Sequence, residues 1–357
     1  MDSKLRGFYL KRSARSPRRL RPKARWIPLF LLAVVPVSAQ TSLTGAGATF
    51  PALMYQKWFD QYQSIGNAQI NYQANGSGGG IKGVMDGTVD FGASDMPMTD
   101  EQLKAFKDKN GYSILLFPTV LGAAVPAYNV PGVRAELNFT PEVLAGIFLG
   151  KVKTWNDPLL AKDNPGIKLP GDKIVVVHRS DASGTTFCWT DYLSKVSPEW
   201  NSKVGKNIAV NWPTGLGAKG NDGVAGQIKQ QPGALGYVEL IYAVKNHLPY
   251  GKVKNQAGKF VKADLASVSA AAAALKSMPP DFRISITNQP GAAAYPISTF
   301  TWLLVPQKFS DPAKKKAIVG FLSWAITKGQ DSAEALEYAK LPAQVVAEEQ
   351  KALAKIQ

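Results

Sequence analysis

The stretch KIVVVHRSDASGTT, residues 173–186, contains the pattern that decides the fold. Its apolar run KIVVVHR is typical of a short buried strand, and the loop SDASGTT leads directly into a helical pattern. The same order of strand, glycine-rich loop and helix occurs at GAGATFP (residues 45–51) and at NGSGGG (residues 75–80). This repeated unit predicts an α/β protein with mainly parallel sheets covered by helices.

The three loops also predict a binding site. A helix start presents unpaired N–H groups and the positive end of the helix dipole. Glycines let an anion approach the backbone, and Ser or Thr hydroxyls add donors. One such loop usually only connects two elements, but three of them at the carboxyl ends of strands predict an oxyanion site. A dinucleotide site is disfavoured because Phe50 occupies the third glycine position of G-x-G-x-x-G, and no G-x-x-x-x-G-K-[ST] motif is present.

Charged residues beside these loops refine the prediction. Arg179 precedes the loop SDASGTT and can offer a fork of donors to an oxyanion, while Asp181 can hold its guanidinium. Asp95 ends VDFGASD, and an ionised Asp can only accept hydrogen bonds. It would therefore suit monohydrogen phosphate, which carries one proton, and oppose sulfate, which carries none at neutral pH. The alternative for Asp95 is a helix N-cap or a solvated turn.

Composition limits the remaining possibilities. A length of 357 residues favours two domains, and 45% apolar with 19% charged residues is typical of a globular protein. A single cysteine, Cys188, excludes an internal disulfide framework, a thiolate zinc cluster and an iron–sulfur site. His178 and His247 leave little for a histidine-rich metal site or a Ser-His-Asp triad.

The net charge of +16 is concentrated at the N-terminus, where residues 1–25 hold ten Lys or Arg and one acid. Twelve apolar residues, Trp26–Val37, follow and lead into Val37-Ser38-Ala39. This order predicts a secretory signal peptide over residues 1–39, cleaved after Ala39. The apolar run is too short to span a bilayer, which takes about twenty residues. A core helix behind a nucleic-acid-binding arm is the alternative.

Beyond these features, the sequence resembles the periplasmic phosphate-binding proteins of the phosphate-specific ABC transporter. The resemblance covers nearly all of the chain after residue 39. It is carried by the motifs SLTGAGATFPA, NYQANGSGGG, VDFGASDMPM, FPTVLG, IFLGKVKTWND, RSDASGTTF, GLGAKGNDGVAG, QQPGALGYVE and YPIST.

The resemblance implies a type II-like, two-lobed fold of the Venus-flytrap kind that closes over one phosphate ion, with mixed, mainly parallel sheets in each lobe. The implied boundaries are residues 40–125 and 285–357 for the first lobe and 126–284 for the second. The implied ligand-binding residues are Thr49, Phe50, Ser77, Asp95, Arg179, Ser183, Gly184 and Thr185, supported by Asp181.

His178 stands beside Arg179, where the family has a second arginine. Strand alternation predicts that the His178 side chain points away from that of Arg179. If it instead faced the cleft, it would modulate affinity near neutral pH.

The implied function is high-affinity capture of phosphate in the periplasm and delivery to an ABC-type import permease of two permease and ATPase subunits. The protein would act as a monomer, without cofactor, metal, nucleic acid or catalysis. One alternative is another protonated oxyanion, arsenate or a phosphonate, since arsenate carries the same proton. A phosphatase is a further alternative, although neither a metal cluster nor an activated nucleophile is visible in the sequence.

Overall fold

The computed structural model describes residues 40–66 and 68–357. The predicted signal peptide lies outside these residues. Within them, the strands are β1 Thr41–Gly47, β2 Ala68–Gln73, β3 Phe91–Ser94, β4 Ile114–Asn129, β5 Asn138–Phe139, β6 Val175–Arg179, β7 Leu216–Ala218, β8 Ala234–Glu239, β9 Lys252–Lys254, β10 Phe260–Val261 and β11 Ser298–Pro306.

Helices follow most of the strands, as the α/β prediction requires. They are α1 Ala52–Gly66, α2 Ser77–Asp86, α3 Asp100–Asn110, α4 Pro141–Phe148, α5 Pro158–Asp163, α6 Gly184–Val196, α7 Pro198–Lys203, α8 Gly220–Gln230, α9 Leu240–Lys245, α10 Leu265–Ala273, α11 Pro312–Ala325 and α12 Ala343–Leu353. Two short 3₁₀ turns, Lys328–Ser332 and Glu334–Leu336, lie between α11 and α12.

An eight-stranded sheet in the order β2-β1-β3-β11-β4-β8-β6-β7 carries the fold. Parallel pairs lie at its two ends, where β1 pairs with β2 and β3, and β6 pairs with β8 and β7. Antiparallel pairs involving β4 and β11 lie in its middle. The mixed α/β class is therefore confirmed. A small second sheet has the order β10-β9-β5.

Strand β4 is shared by two groups of strands. Its residues 114–123 pair with β11, and its residues 124–129 pair with β8. We call β2, β1, β3, β11 and the first part of β4 the first half-sheet, and the rest of β4 with β8, β6 and β7 the second half-sheet. The partner changes close to the predicted lobe boundary after residue 125. The exact lobe boundaries stay a prediction.

The sequence predicts two separate strands, YSILLFPTV and GAAVPAYNV, where the structure has the single strand β4. Gly122 does not form a turn between them, because it pairs with Thr299 of β11. A Cβ atom on Gly122 would lie 2.7 Å from the Phe50 ring. This glycine marks a close approach of two segments rather than a break in the strand.

Helices α3 and α4 both begin after a threonine that caps them. Thr99 accepts a hydrogen bond from Gln102 N and forms a capping box with it at the start of α3. Thr140 accepts from Val143 N at the start of α4. In both helices the side-chain oxygen satisfies a donor that has no partner inside the helix.

Large aromatic side chains fill much of the core. Trp58, Trp155, Trp189 and Trp302 are at most 1% exposed and lie in the interior. The indole N–H groups of Trp58 and Trp302 donate to backbone carbonyls at 2.7 and 2.9 Å. Burial of these rings therefore leaves both groups hydrogen-bonded.

Helix α2 lies unusually close to the sheet at Gly80. A Cβ atom on Gly80 would lie 2.5 Å from the carbonyl oxygen of Ala93 and 2.7 Å from that of Ala46. Both atoms belong to the backbone of neighbouring strands, so they cannot move aside as a flexible side chain can.

We therefore expect Gly80→Ala to lower the free energy of unfolding by about 1–3 kcal/mol through overpacking. The control is Gly226→Ala in α8, where nothing lies within 4 Å of the added Cβ. That substitution should raise stability by about 0.5–1 kcal/mol, because glycine is costly inside a helix. Urea unfolding measures both, and equal changes in the two variants would contradict the packing argument.

Candidate functional site

The three glycine-rich loops meet at the edge where β1, β2 and β6 end and α1, α2 and α6 begin. Gly184 N donates to Ser77 Oγ at 3.0 Å, and Gly78 N donates to the carbonyl oxygen of Ala182 at 3.0 Å. A Cβ atom on Gly184 would lie 2.5 Å from both Ser77 Oγ and Asp95 Oδ2, so only glycine fits there. The predicted convergence of the loops is confirmed.

Asp95 lies inside this site and not in a solvated turn. It follows β3 and is 1% exposed, and Thr301 of β11 donates to its Oδ1 at 2.7 Å. Its backbone N–H donates to Ser77 Oγ at 3.2 Å, while its Oδ2 lies 3.5 Å from the same oxygen. The alternative of an N-cap is also wrong, because Thr99 caps the helix that follows.

Burial raises the pKa of Asp95 to about 7, because the charged form loses its hydration. Hydrogen bonds from Thr301 and Ser77 and the positive charge of Arg179 oppose the shift but do not cancel it. The prediction made from the sequence assumes that Asp95 is ionised at neutral pH. The structure corrects this, because the carboxyl group titrates near neutrality.

Arg179 and Asp181 form a bidentate ion pair beside Asp95. Arg179 Nε donates to Asp181 Oδ1 at 2.7 Å, and Nη2 donates to Oδ2 at 2.5 Å. Burial opposes ionisation of Asp181, but the bonds and charge of Arg179 and a bond from Gly220 N outweigh it and lower its pKa. Only Nη1 of the fork points elsewhere, towards Thr185 Oγ1 at 3.4 Å. The predicted Arg–Asp pairing is confirmed.

Helix α6 brings the remaining predicted residues to the site. Ser183 caps the helix by accepting from Thr186 N at 3.2 Å, and Gly184 and Thr185 form its first turn. Ser183 and Thr185 are both fully buried. The strand before α6 is fixed by Tyr237, whose hydroxyl accepts from Arg179 N at 3.1 Å.

Three tyrosines that the sequence analysis missed hold the first loop. Their hydroxyls donate to successive carbonyl oxygens: Tyr72 to Ala48 at 2.8 Å, Tyr242 to Thr49 at 2.6 Å and Tyr338 to Phe50 at 2.6 Å. In a trans peptide the N–H points opposite to the C=O. The first two bonds therefore fix the directions of the N–H groups of Thr49 and Phe50.

A fourth strand, glycine-rich loop and helix unit was also missed. It runs from β7 through Lys219 into α8 and brings Asn221 to the site. Asn221 Nδ2 lies 2.9 Å from Thr49 Oγ1 and 3.2 Å from Thr185 Oγ1. The spacing of glycines in GLGAKGNDG is the sequence feature that could have predicted this unit.

His178 does not enter the site. Its ring stacks on Trp212 with 4.8 Å between the ring centroids, and its Nδ1 lies 3.0 Å from the carbonyl oxygen of Arg179. Burial lowers its pKa, partly offset by that carbonyl. The prediction that it points away from the Arg179 side chain is confirmed.

Known proteins match this chain over most of its length. A family model described as a PBP superfamily domain matches residues 34–328. The phosphate-binding protein PstS of Pasteurella multocida is 43% identical over 320 residues, 89% of this chain and 91% of its own. PstS of Haemophilus influenzae is 42% identical over 317 residues, 88% of this chain and 93% of its own.

The chain belongs to the PstS family of the PBP superfamily. The predicted resemblance is thereby confirmed. Two solved structures share the fold of this PstS-family chain: a periplasmic phosphate-binding protein (PfluDING) bound with phosphate, with a TM-score of 0.73 and 21% identity, and a phosphate-binding protein from Stenotrophomonas maltophilia, with a TM-score of 0.71 and 21% identity. Each covers 87% of this chain and is itself covered to 93%.

Within the described residues, no helix of the PstS-family chain has both the length and the apolar character needed to cross a bilayer.

The titration of Asp95 predicts a stability change with pH. Its folded pKa of about 7 lies above the usual unfolded value of about 3.9, so between these values the folded state keeps a proton that the unfolded chain has lost. The contribution of Asp95 to stability is therefore full below about pH 4 and is lost as pH rises towards 7. The amide in Asp95→Asn does not titrate, so this variant does not lose stability in this way as the pH rises.

Relative to the native protein, Asp95→Asn should gain about 2.5 kcal/mol of unfolding free energy between pH 5 and pH 8. Urea unfolding in buffers free of oxyanions measures this difference. The control is Asp331→Asn, whose side chain is 82% exposed and should show no such trend. A constant difference between the Asp95 variant and the native protein across this range would refute a raised pKa.

Proposed function

We propose that this chain binds inorganic phosphate in the periplasm and delivers it to an ABC-type phosphate import permease. Its PstS relatives are named phosphate-binding proteins, and the proposal follows their names. The chemistry of the site supports it independently.

The observation that carries the proposal is the different hydrogen bonding of the two acids, buried Asp95 and partly buried Asp181. Asp181 is occupied by the Arg179 fork and by Gly220 N. Asp95 accepts from Thr301 through Oδ1, and its Oδ2 faces Ser77 and Gly184. Asp95 Oδ2 is therefore the acceptor available to a ligand proton, among many donors. A tetrahedral oxyanion that carries one proton fits this arrangement.

The proposed contacts use each predicted residue in a defined role. Backbone N–H groups of Thr49, Phe50 and Thr185 donate at helix starts, where the dipole also favours an anion. Gly184 has no side chain and so leaves Asp95 Oδ2 accessible. The hydroxyls of Thr49, Ser77, Ser183 and Thr185 add donors, and Arg179 Nη1 adds a charged one. Asp95 accepts the ligand proton.

Location and partners complete the proposal. The segment 1–39 directs export and is cleaved after Ala39, which leaves a monomer of two lobes, residues 40–125 with 285–357 and residues 126–284. The permease complex contains two permease and ATPase subunits. The protein carries out no catalysis and needs no cofactor.

Isothermal calorimetry of the phosphate-stripped protein tests the function. At pH 8 we expect phosphate and arsenate to bind and sulfate to bind at least about tenfold more weakly, because Asp95 must first be protonated to avoid facing a sulfate lone pair. As the pH falls from 8 towards 7, Asp95 gains a proton and can donate, so sulfate affinity should rise by up to tenfold per pH unit and level off below about pH 7.

Asp95→Asn should bind sulfate with little pH dependence, because an amide donates at every pH. Failure of the native protein to bind phosphate would refute the proposed function. A sulfate affinity that is constant from pH 8 to pH 5.5 would refute the role of Asp95 alone. A chromogenic phosphate monoester, incubated with divalent metals, should show no turnover.

Removal of the Arg179 side chain should weaken phosphate binding strongly. A charged hydrogen bond contributes about 1.5–3 kcal/mol, so Arg179→Ala should lose about 10- to 150-fold in affinity, and more if the released Asp181 repels the anion. The control is Arg134→Ala, since Arg134 is exposed on the surface. Calorimetry at pH 8 compares the two, and equal affinities would exclude Arg179 from the site.

A further inference from the structure

Asn221 holds an orientation that the surrounding backbone determines. It is fully buried as the second residue of α8, and its Oδ1 accepts from Glu239 N at 2.9 Å. A backbone N–H can only donate, so the amide oxygen must face Glu239. The amide nitrogen of Asn221 then necessarily faces the site.

That nitrogen lies between one hydroxyl from each of two ligand loops. Nδ2 lies 2.9 Å from Thr49 Oγ1 and 3.2 Å from Thr185 Oγ1. An amide NH₂ group has two hydrogens and accepts nothing. Asn221 therefore gives one hydrogen to each threonine.

A second pure donor reaches each of these hydroxyl oxygens. Asn221 N lies 3.4 Å from Thr49 Oγ1, and Arg179 Nη1 lies 3.4 Å from Thr185 Oγ1. A hydroxyl oxygen has two lone pairs and one hydrogen. Because donors occupy both lone pairs, each threonine can use only its hydrogen towards a ligand.

Both lone pairs of the Ser77 hydroxyl oxygen are also occupied, in this case by backbone N–H donors. Its Oγ accepts from Asp95 N at 3.2 Å and from Gly184 N at 3.0 Å. Its hydrogen is left for the Asp95 carboxylate or for the ligand. Three hydroxyls of the site are thus donors only.

We propose that Asn221 is a positioning residue for anion selection, which turns the hydroxyl hydrogens of Thr49 and Thr185 towards the bound anion. This inference rests on the proposed function. By donating to both hydroxyl oxygens, Asn221 prevents Thr49 and Thr185 from accepting a hydrogen bond from the ligand. Asp95 then remains the acceptor for a ligand proton. A second ligand proton, as in dihydrogen phosphate, then finds no acceptor among the hydroxyls of Thr49, Ser77 and Thr185.

A double-mutant cycle on phosphate affinity tests the inference, because it isolates the coupling between residues. Asn221→Ala should lose about tenfold in affinity at pH 8. In a Thr49→Val, Thr185→Val background, the same change should cost less than twofold, because the hydroxyls through which it acts are gone. The control is Asn129→Ala, which removes amide bonds to the carbonyls of Ile228 and Lys229 at the other end of α8. It should leave affinity unchanged.

The pH profile gives a readout that a purely structural role would not change. Without Asn221, the two threonines regain a free lone pair and can accept a second ligand proton. The loss of affinity between pH 8 and pH 5.5 should therefore be at least threefold smaller in Asn221→Ala than in the native protein.

Additive losses in the cycle, or parallel pH profiles, would overturn the role of Asn221 while leaving phosphate binding by the native protein intact. Absence of phosphate binding by the native protein would instead refute the proposed function itself. The two failures are thus distinguishable by the native titration, which is measured first.

Discussion

Burial of the Asp95 carboxyl group is the constraint on which the site depends. A buried carboxylate is costly unless donors surround it. Thr301 from the first half-sheet supplies one donor to Asp95 Oδ1, and the Ser77 hydroxyl lies beside Oδ2. These donors do not restore the usual pKa, which stays near 7. The carboxyl group is therefore held close to the point where it either accepts or donates a hydrogen bond.

The charges of the site are balanced before any anion arrives. Asp181 neutralises the positive charge of Arg179 through two hydrogen bonds. The guanidinium group therefore contributes an oriented hydrogen-bond donor more than a net charge. Stabilisation of an anion then falls largely on fixed N–H dipoles at helix starts. Such dipoles must be rigid to be effective. The tyrosine hydroxyls on the carbonyls of Ala48 and Thr49 supply that rigidity, because they fix the peptide planes of the first loop.

The parts of the site predicted from the sequence were those encoded locally. Each of the three loops follows a recognisable strand and opens a recognisable helix, and Arg179 and Asp181 are two residues apart. The fourth loop was missed because β7 has only three residues and Lys219 at the helix start makes no side-chain capping bond. Tyr242 and Tyr338 were missed for another reason. They lie 193 and 288 residues from the carbonyls they bind, and periodicity carries no information at such separations.

Three hydrogen bonds between the part of the chain around the first half-sheet and the part around the second pass through the loops that form the site. Ser77 bonds to Gly184, Gly78 to Ala182, and Thr49 to Asn221. Because Thr49, Ser77, Asp95 and Thr185 are at most 6% exposed, an anion can enter only when these bonds open. These three bonds involve neutral groups, and each joins a donor and an acceptor that water can satisfy equally well. The net cost of breaking these three bonds is then small. A ligand that satisfies the same donors from within can therefore shift the balance towards closure, since its contacts exist only in the closed arrangement.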